Sequence, residues 1–128
     1  MENKENKIIK YMLYLGLNDK ETKVQKIDTL EAYKIICNIA KSLSIEGFTI
    51  YNAQGFYIHN DGNISIENTL KIELMSVDET IINKLIEKLL IIFNQETIIK
   101  QTETVSSQLI SIPQAKPTEV VTLKDLKG

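Results

Sequence analysis

Residues 47–77, GFTIYNAQGFYIHNDGNISIENTLKIELMSV, decide the fold. Asn60-Asp61-Gly62-Asn63 splits the stretch in two, because Asp-Gly supplies the two positive-φ residues that a tight hairpin turn demands. Beyond the turn, Ile64, Ile66, Leu70, Ile72 and Leu74 alternate with Ser65, Glu67, Thr69, Lys71 and Glu73. That is a strand with its even face in the core. Before the turn, Phe48 and Ile50 begin a similar alternation that breaks at Asn52-Ala53-Gln54-Gly55. A glycine inside a strand pattern predicts a bulge, or a close approach by another backbone or a ligand.

Working outward, Ile8–Leu17 reads as a strand apolar on both faces, with Tyr11, Leu13, Leu15 and Leu17 on one side and Met12 and Tyr14 on the other. Such a strand is usually central. Asp28 with Glu31 predicts a capping-box start to a helix running to about Ser44, with an apolar face of Leu30, Tyr33, Ile36, Cys37, Ala40 and Leu43. After the hairpin, Asp78 caps a second helix carrying Ile81, Ile82, Leu85, Ile86, Leu89, Leu90 and Phe93, ending near Asn94. Residues 96–111 are β-branched and alternating, and predict a long last strand.

The order is βαββαβ, so the expected fold is α+β and ferredoxin-like: a four-stranded antiparallel sheet with two helices on one face. We divide the chain into a polar N-terminal extension (1–7), this domain (8–111) and a Pro-containing tail (112–128). The other sheet face should hold Met12, Tyr14, Tyr51, Tyr57, Met75 and Val77. A partly apolar uncovered face calls for a partner or ligand, and a homodimer or higher homo-oligomer is the economical expectation.

Composition narrows the function. The 128 residues carry a net charge of −2, and all 15 cationic side chains are lysines. Without a clustered basic face, a DNA or RNA partner is not expected. No apolar run approaches the ~18 residues of a membrane span, no apolar leader precedes the domain, and the single cysteine, Cys37, points to a reducing compartment. We expect a cytoplasmic protein without membrane attachment.

No catalytic constellation can be assembled from the residue types present. His59 is the only histidine, and with Asp61 and Glu67 it falls short of a metal-ligand set. Cys37, among Ile36, Ile39 and Ala40, reads as a small buried hydrophobe rather than a nucleophile. Phosphate-binding glycine loops and Ser-His-Asp sets are absent from the sequence. The expectation is a protein that is not an enzyme and needs no cofactor. A candidate binding set does stand out: Tyr51, Asn52, Gln54, Tyr57, His59, Asn60 and Asn68 offer aromatic faces and amides suited to a planar, polar molecule.

Several short segments match a known pattern in order and spacing: Tyr14-Leu15-Gly16, Gly47-Phe48-Thr49-Ile50, Ala53-Gln54-Gly55, then Gly62, Glu67, Thr69 and finally Gln95-Glu96-Thr97. Over Tyr11 to Val105 the chain resembles a domain-of-unknown-function family of small bacterial proteins with a ferredoxin-like core. It departs from the family where Phe56 and Tyr57 replace a frequent tryptophan and arginine, and in lacking the leader many members carry. The resemblance implies the fold and says nothing of the chemistry. From the disrupted hairpin strand with its amides and tyrosines and the missing catalytic set, the functional expectation is a non-catalytic protein sequestering a small polar or nucleotide-like ligand, as a phage or mobile-element product acting against host defence would. The alternative is a protein-interaction module using its sheet face or its C-terminal tail.

Overall fold

A computed structural model describes residues 6–113. The strands are β1 (Asn6–Gly16), β2 (Thr49–Ile58), β3 (Ile64–Met75) and β4 (Ile99–Ser107); the helices are α1 (Thr29–Ser42) and α2 (Glu79–Ile92). The sheet order is β2-β3-β1-β4, antiparallel throughout, with β1 and β3 central. This is the ferredoxin-like βαββαβ fold. The tail segment expected to engage a partner, Thr118–Leu126, lies outside the described residues, as does most of the N-terminal extension; Asn6 and Lys7 already belong to β1.

The core forms where the odd residues of β1 and the even residues of β3 meet both helices. Tyr11, Leu13, Leu15, Leu70, Ile72 and Leu74 are sealed beneath Ala32, Ile36, Ala40, Ile82, Leu85 and Leu89. Each strand thus commits alternate side chains to one apolar layer, which supplies the main driving force for folding. Phe48 and Ile50 pack at its margin, and so does Val77, which therefore belongs to the core side rather than the open face.

Several local expectations need correction. The α1 face is rotated from the predicted stripe: Leu30 and Cys37 are exposed, and Ala32 and Ile39 take the buried positions. Asp28 and Asp78 are the N-caps, but neither side chain makes a capping hydrogen bond. The last strand ends at Ser107, short of the expected Ser111, where its pairing with Asn6 runs out of β1.

The hairpin turn also differs in type. Only Gly62 has positive φ, at 86°. Its N–H donates to the His59 carbonyl at 2.9 Å and the His59 N–H donates to the Asn63 carbonyl at 2.8 Å, giving a three-residue loop in which one left-handed glycine suffices. Asp61 supports it by accepting the Asn63 N–H at 2.9 Å. No bulge interrupts β2, whose register with β3 runs unbroken from Thr49↔Glu73 to Ile58↔Ile64.

Candidate functional site

The open sheet face carries a cleft of about 610 Å³. Its floor comes from Tyr14 and Gly16 of β1, Glu67, Thr69 and Lys71 of β3, and Ala53, Gly55 and Tyr57 of β2. One rim is the loop after β1 (Asn18, Asp19, Lys20, Lys23); beside it stand Gln95, Glu96 and Thr97 from the connection before β4.

The rim is held by Asp19, the one buried charged residue among those described. Its carboxylate accepts the Asn94 side-chain amide at 2.9 Å and the N–H groups of Glu21 and Thr22 at 2.9 and 3.0 Å. The Asn94 bond first, then the Thr22 N–H, hold its pKa well below the usual carboxylate value; Lys26, 3.7 Å away, adds to this. Asn94 itself sits at φ 49°, just past α2, and its carbonyl accepts the Lys20 N–H at 3.0 Å. The Gln95 side chain donates to the Asn18 carbonyl at 2.6 Å. Two loops distant in sequence are thereby fastened into a single wall.

Glu67 lies at the junction of wall and floor. Its Oε2 accepts the Asn18 N–H at 3.0 Å, and the carboxylate lies flat over Gly16, where a Cβ would come within 2.5 Å of Oε1. Gly55 does the same service on β2: a Cβ there would stand 3.1 Å from Thr69 Oγ1 and 3.7 Å from Glu67 Cγ. The glycine in the strand pattern thus marks a close approach by side chains. Burial, and next the Glu67 carboxylate, raise the pKa of the Tyr57 phenol, so Tyr57 is a neutral donor beside an acceptor. Lys71 Nζ lies 5.3 Å from the Tyr14 ring centroid and 5.9 Å from that of Tyr51. Tyr14 in turn donates to Gln101 at 3.0 Å.

The seven candidate binding residues do not come together. Gln54, Tyr57 and His59 line the cleft. Tyr51 shares the open face, but its hydroxyl donates to Glu73 at 2.6 Å, and burial adds to that carboxylate's effect in raising its pKa. Asn52 and Asn68 point to the helix side, where Tyr33 and Gln25 engage them, and Asn60 lies in the exposed turn. His59 is exposed and bonded to Ser65 at 2.7 Å. Among the described residues no group of His, Cys, Asp and Glu is placed to hold a metal ion.

Glu67, Tyr14, Gly16 and Thr69 stand outside the candidate binding set, although the sequence puts Tyr14 on the open face and Glu67 near His59. A signal for them existed: most of the short segments that carry the family resemblance, from Tyr14 and Gly16 through Ala53–Gly55, Glu67 and Thr69 to Gln95–Thr97, converge on this one cleft.

No family model matches the chain, and no curated protein matches it. Solved structures do share its fold. A phage SAM lyase in complex with S-methyl-5'-thioadenosine superposes with a TM-score of 0.63 at 18% identity, covering 87% of this chain and 95% of that one. CutA from Synechococcus elongatus gives 0.54 at 12% identity, covering 82% and 83%. The B. subtilis GlnK–ATP complex gives 0.51 at 10%, covering 77% and 82%. The chain is ferredoxin-like, in the company of a phage protein and of a nucleotide-bound one. No helix among the described residues is long and apolar enough to cross a membrane.

Proposed function

We propose that the chain binds an adenosyl sulfonium of the S-adenosylmethionine type in the open-face cleft and breaks the bond joining its amino-acid arm to sulfur. The observation that carries this reading is the placement of Glu67, a half-buried carboxylate fixed by the Asn18 N–H, walled by Gly16 and set beside the Tyr57 phenol. The cleft has the size of sites that enclose molecules of this class, and the Glu67 carboxylate in it suits a cation. The phage SAM lyase on the same fold makes this ligand the first to test.

A bound sulfonium has two fates, retention and cleavage. Retention is the sequestering role expected from the sequence. Cleavage is the fate we put first because Glu67, at the junction of wall and floor, is a carboxylate of the cleft positioned by a backbone N–H, and a phage SAM lyase shares the fold. In cleavage the bonding pair moves onto sulfur and discharges it, leaving S-methyl-5'-thioadenosine. Carbon is compensated either by loss of a neighbouring proton to Glu67, giving an unsaturated amino acid, or by closure of the arm's own carboxylate, giving a lactone.

Purified protein incubated with excess S-adenosylmethionine should release many equivalents of S-methyl-5'-thioadenosine per chain, measured by mass spectrometry, and the second product identifies the route. Retention of one intact equivalent on the protein would return the function to sequestration. Neither binding nor consumption would overturn both.

A further inference from the structure

The β2–β3 hairpin projects past the rest of the sheet. Pairing of β3 with β1 stops at Gly16↔Thr69; beyond it Ile64 and Ser65 pair only with β2, while Ile66–Asn68 also meet the loop after β1. Those contacts run from the Leu17 N–H to the Asn68 carbonyl at 2.9 Å, from the Asn18 side-chain amide to the Ile66 carbonyl at 3.4 Å, from the Asn18 N–H to Glu67 and from the Asn68 amide to Gln25. On the helix side of this arm, Phe56 pairs with Ile66 and Ile58 with Ile64, and all four side chains are more than half exposed. They are not a frayed edge of the core. Asn52 and Asn68, engaged by Tyr33 and Gln25, form a polar belt between the core and these four. A two-stranded ribbon with an uncovered apolar face is marginal alone in water.

At the opposite end of the sheet, the segment leaving β4 exposes Leu109, Ile110 and Ile112, each at least four-fifths accessible. It cannot cover the arm of its own chain. Ser107 pairs with Asn6 at one end of the 11-residue β1, and the arm starts beyond the other end, so the two are separated by about 33 Å of strand at ~3.3 Å per residue. Residues 108–112 reach at most about 18 Å.

We infer that copies of this chain associate head to tail, the Leu109, Ile110 and Ile112 segment of one copy seating on the Phe56, Ile58, Ile64 and Ile66 surface of the next. Both patches are apolar, and each is out of reach of its complement within one chain. A contact between two different patches leaves one of each kind free until the assembly closes, which favours a closed oligomer over an open pair. Because the arm also carries Tyr57 and Glu67 on its other face, seating it fixes one side of the cleft.

Sedimentation velocity of the full chain should give a multiple of the 14.6 kDa monomer. Two variants then dissect the contact: Ile58→Lys with Ile66→Lys in the arm, and Leu109→Glu with Ile110→Glu in the segment. All four positions are solvent-exposed, so each variant should keep the wild-type circular dichroism spectrum and sediment as a monomer. Mixed in equal amounts they should reassociate, since one contact is then wild-type and the other pairs lysines with glutamates. A monomeric wild type, an oligomer surviving either pair of substitutions, or a mixture that stays monomeric would each overturn the inference.

Discussion

Leu13 and Tyr14 are neighbours in β1 and face opposite sides of one sheet. Leu13 is completely buried among the helices, while Tyr14 lies under Lys71 and bonds to Gln101 on a face that none of the described elements covers. The helix side is closed by interchangeable apolar contacts. The open side is built from individually placed polar groups, each with a partner: Tyr51 with Glu73, Lys10 between Glu73 and Glu103 at 3.5 Å each, Asn18 with Glu67. Stability should therefore reside on the first face and ligand chemistry on the second. A substitution that crosses this line would break the comparison.

The largest effect is expected at Ile72, wholly buried at the centre of the helix side. Ile72→Ala should cost about 2–5 kcal/mol in urea unfolding, and the folded fraction should retain ligand turnover. Glu67→Gln tests the other face. Turnover of S-adenosylmethionine should fall by about 10²-fold or more while the urea midpoint barely moves, because the amide oxygen still accepts the Asn18 N–H. An unchanged rate would separate Glu67 from the chemistry.

Gly16→Ala sharpens the comparison further. The new methyl group displaces the flexible carboxylate of Glu67 and leaves the backbone alone, so activity should drop by about tenfold or more and stability by about 1 kcal/mol or less. Equal losses of both would mean that the open face also holds the fold together. Asp19 gives a pH signature. Its pKa is depressed in the folded state, so its contribution is complete above the ordinary value of 3.8 and drains away as pH falls toward the lower folded value. Melting temperatures followed from about pH 6 down to about pH 2 should fall less steeply in Asp19→Asn than in the wild type. The smallest effect is expected from Lys71→Met, which removes a cation from the faces of the half-buried Tyr14 and the exposed Tyr51 and should change stability by about 0.5–1 kcal/mol.

The seven candidate residues show why the site was harder to read than the fold. Tyr57 and His59 were found because they lie two residues apart at one strand end, whereas Gln54, the register partner of Asn68, only borders the cleft. Asn52 and Asn68 carry the same chemistry, yet the two-residue period of their strands sends them to the helix side, where Tyr33 and Gln25 take up their amides. Glu67 read as one of three alternating charges on a solvated strand. Its difference from Lys71 and Glu73 depends on Asn18 and Gly16, about fifty residues upstream.

The sequence by itself determined the element order, the central position of β1 and the apolar layer, because alternation and helical period are local properties written in neighbouring residues. The same locality misjudged the turn type and the rotation of α1, where one left-handed glycine and the packing of Ala32 and Ile39 decided the outcome. Tertiary structure alone decided the cleft. Its wall exists because Asp19 and Asn18 reach Asn94 and Gln95 across the molecule, and its floor because two glycines admit the side chains of Glu67 and Thr69. Contacts between residues so far apart leave no periodic trace in the chain, since each depends on a register that only the folded sheet sets.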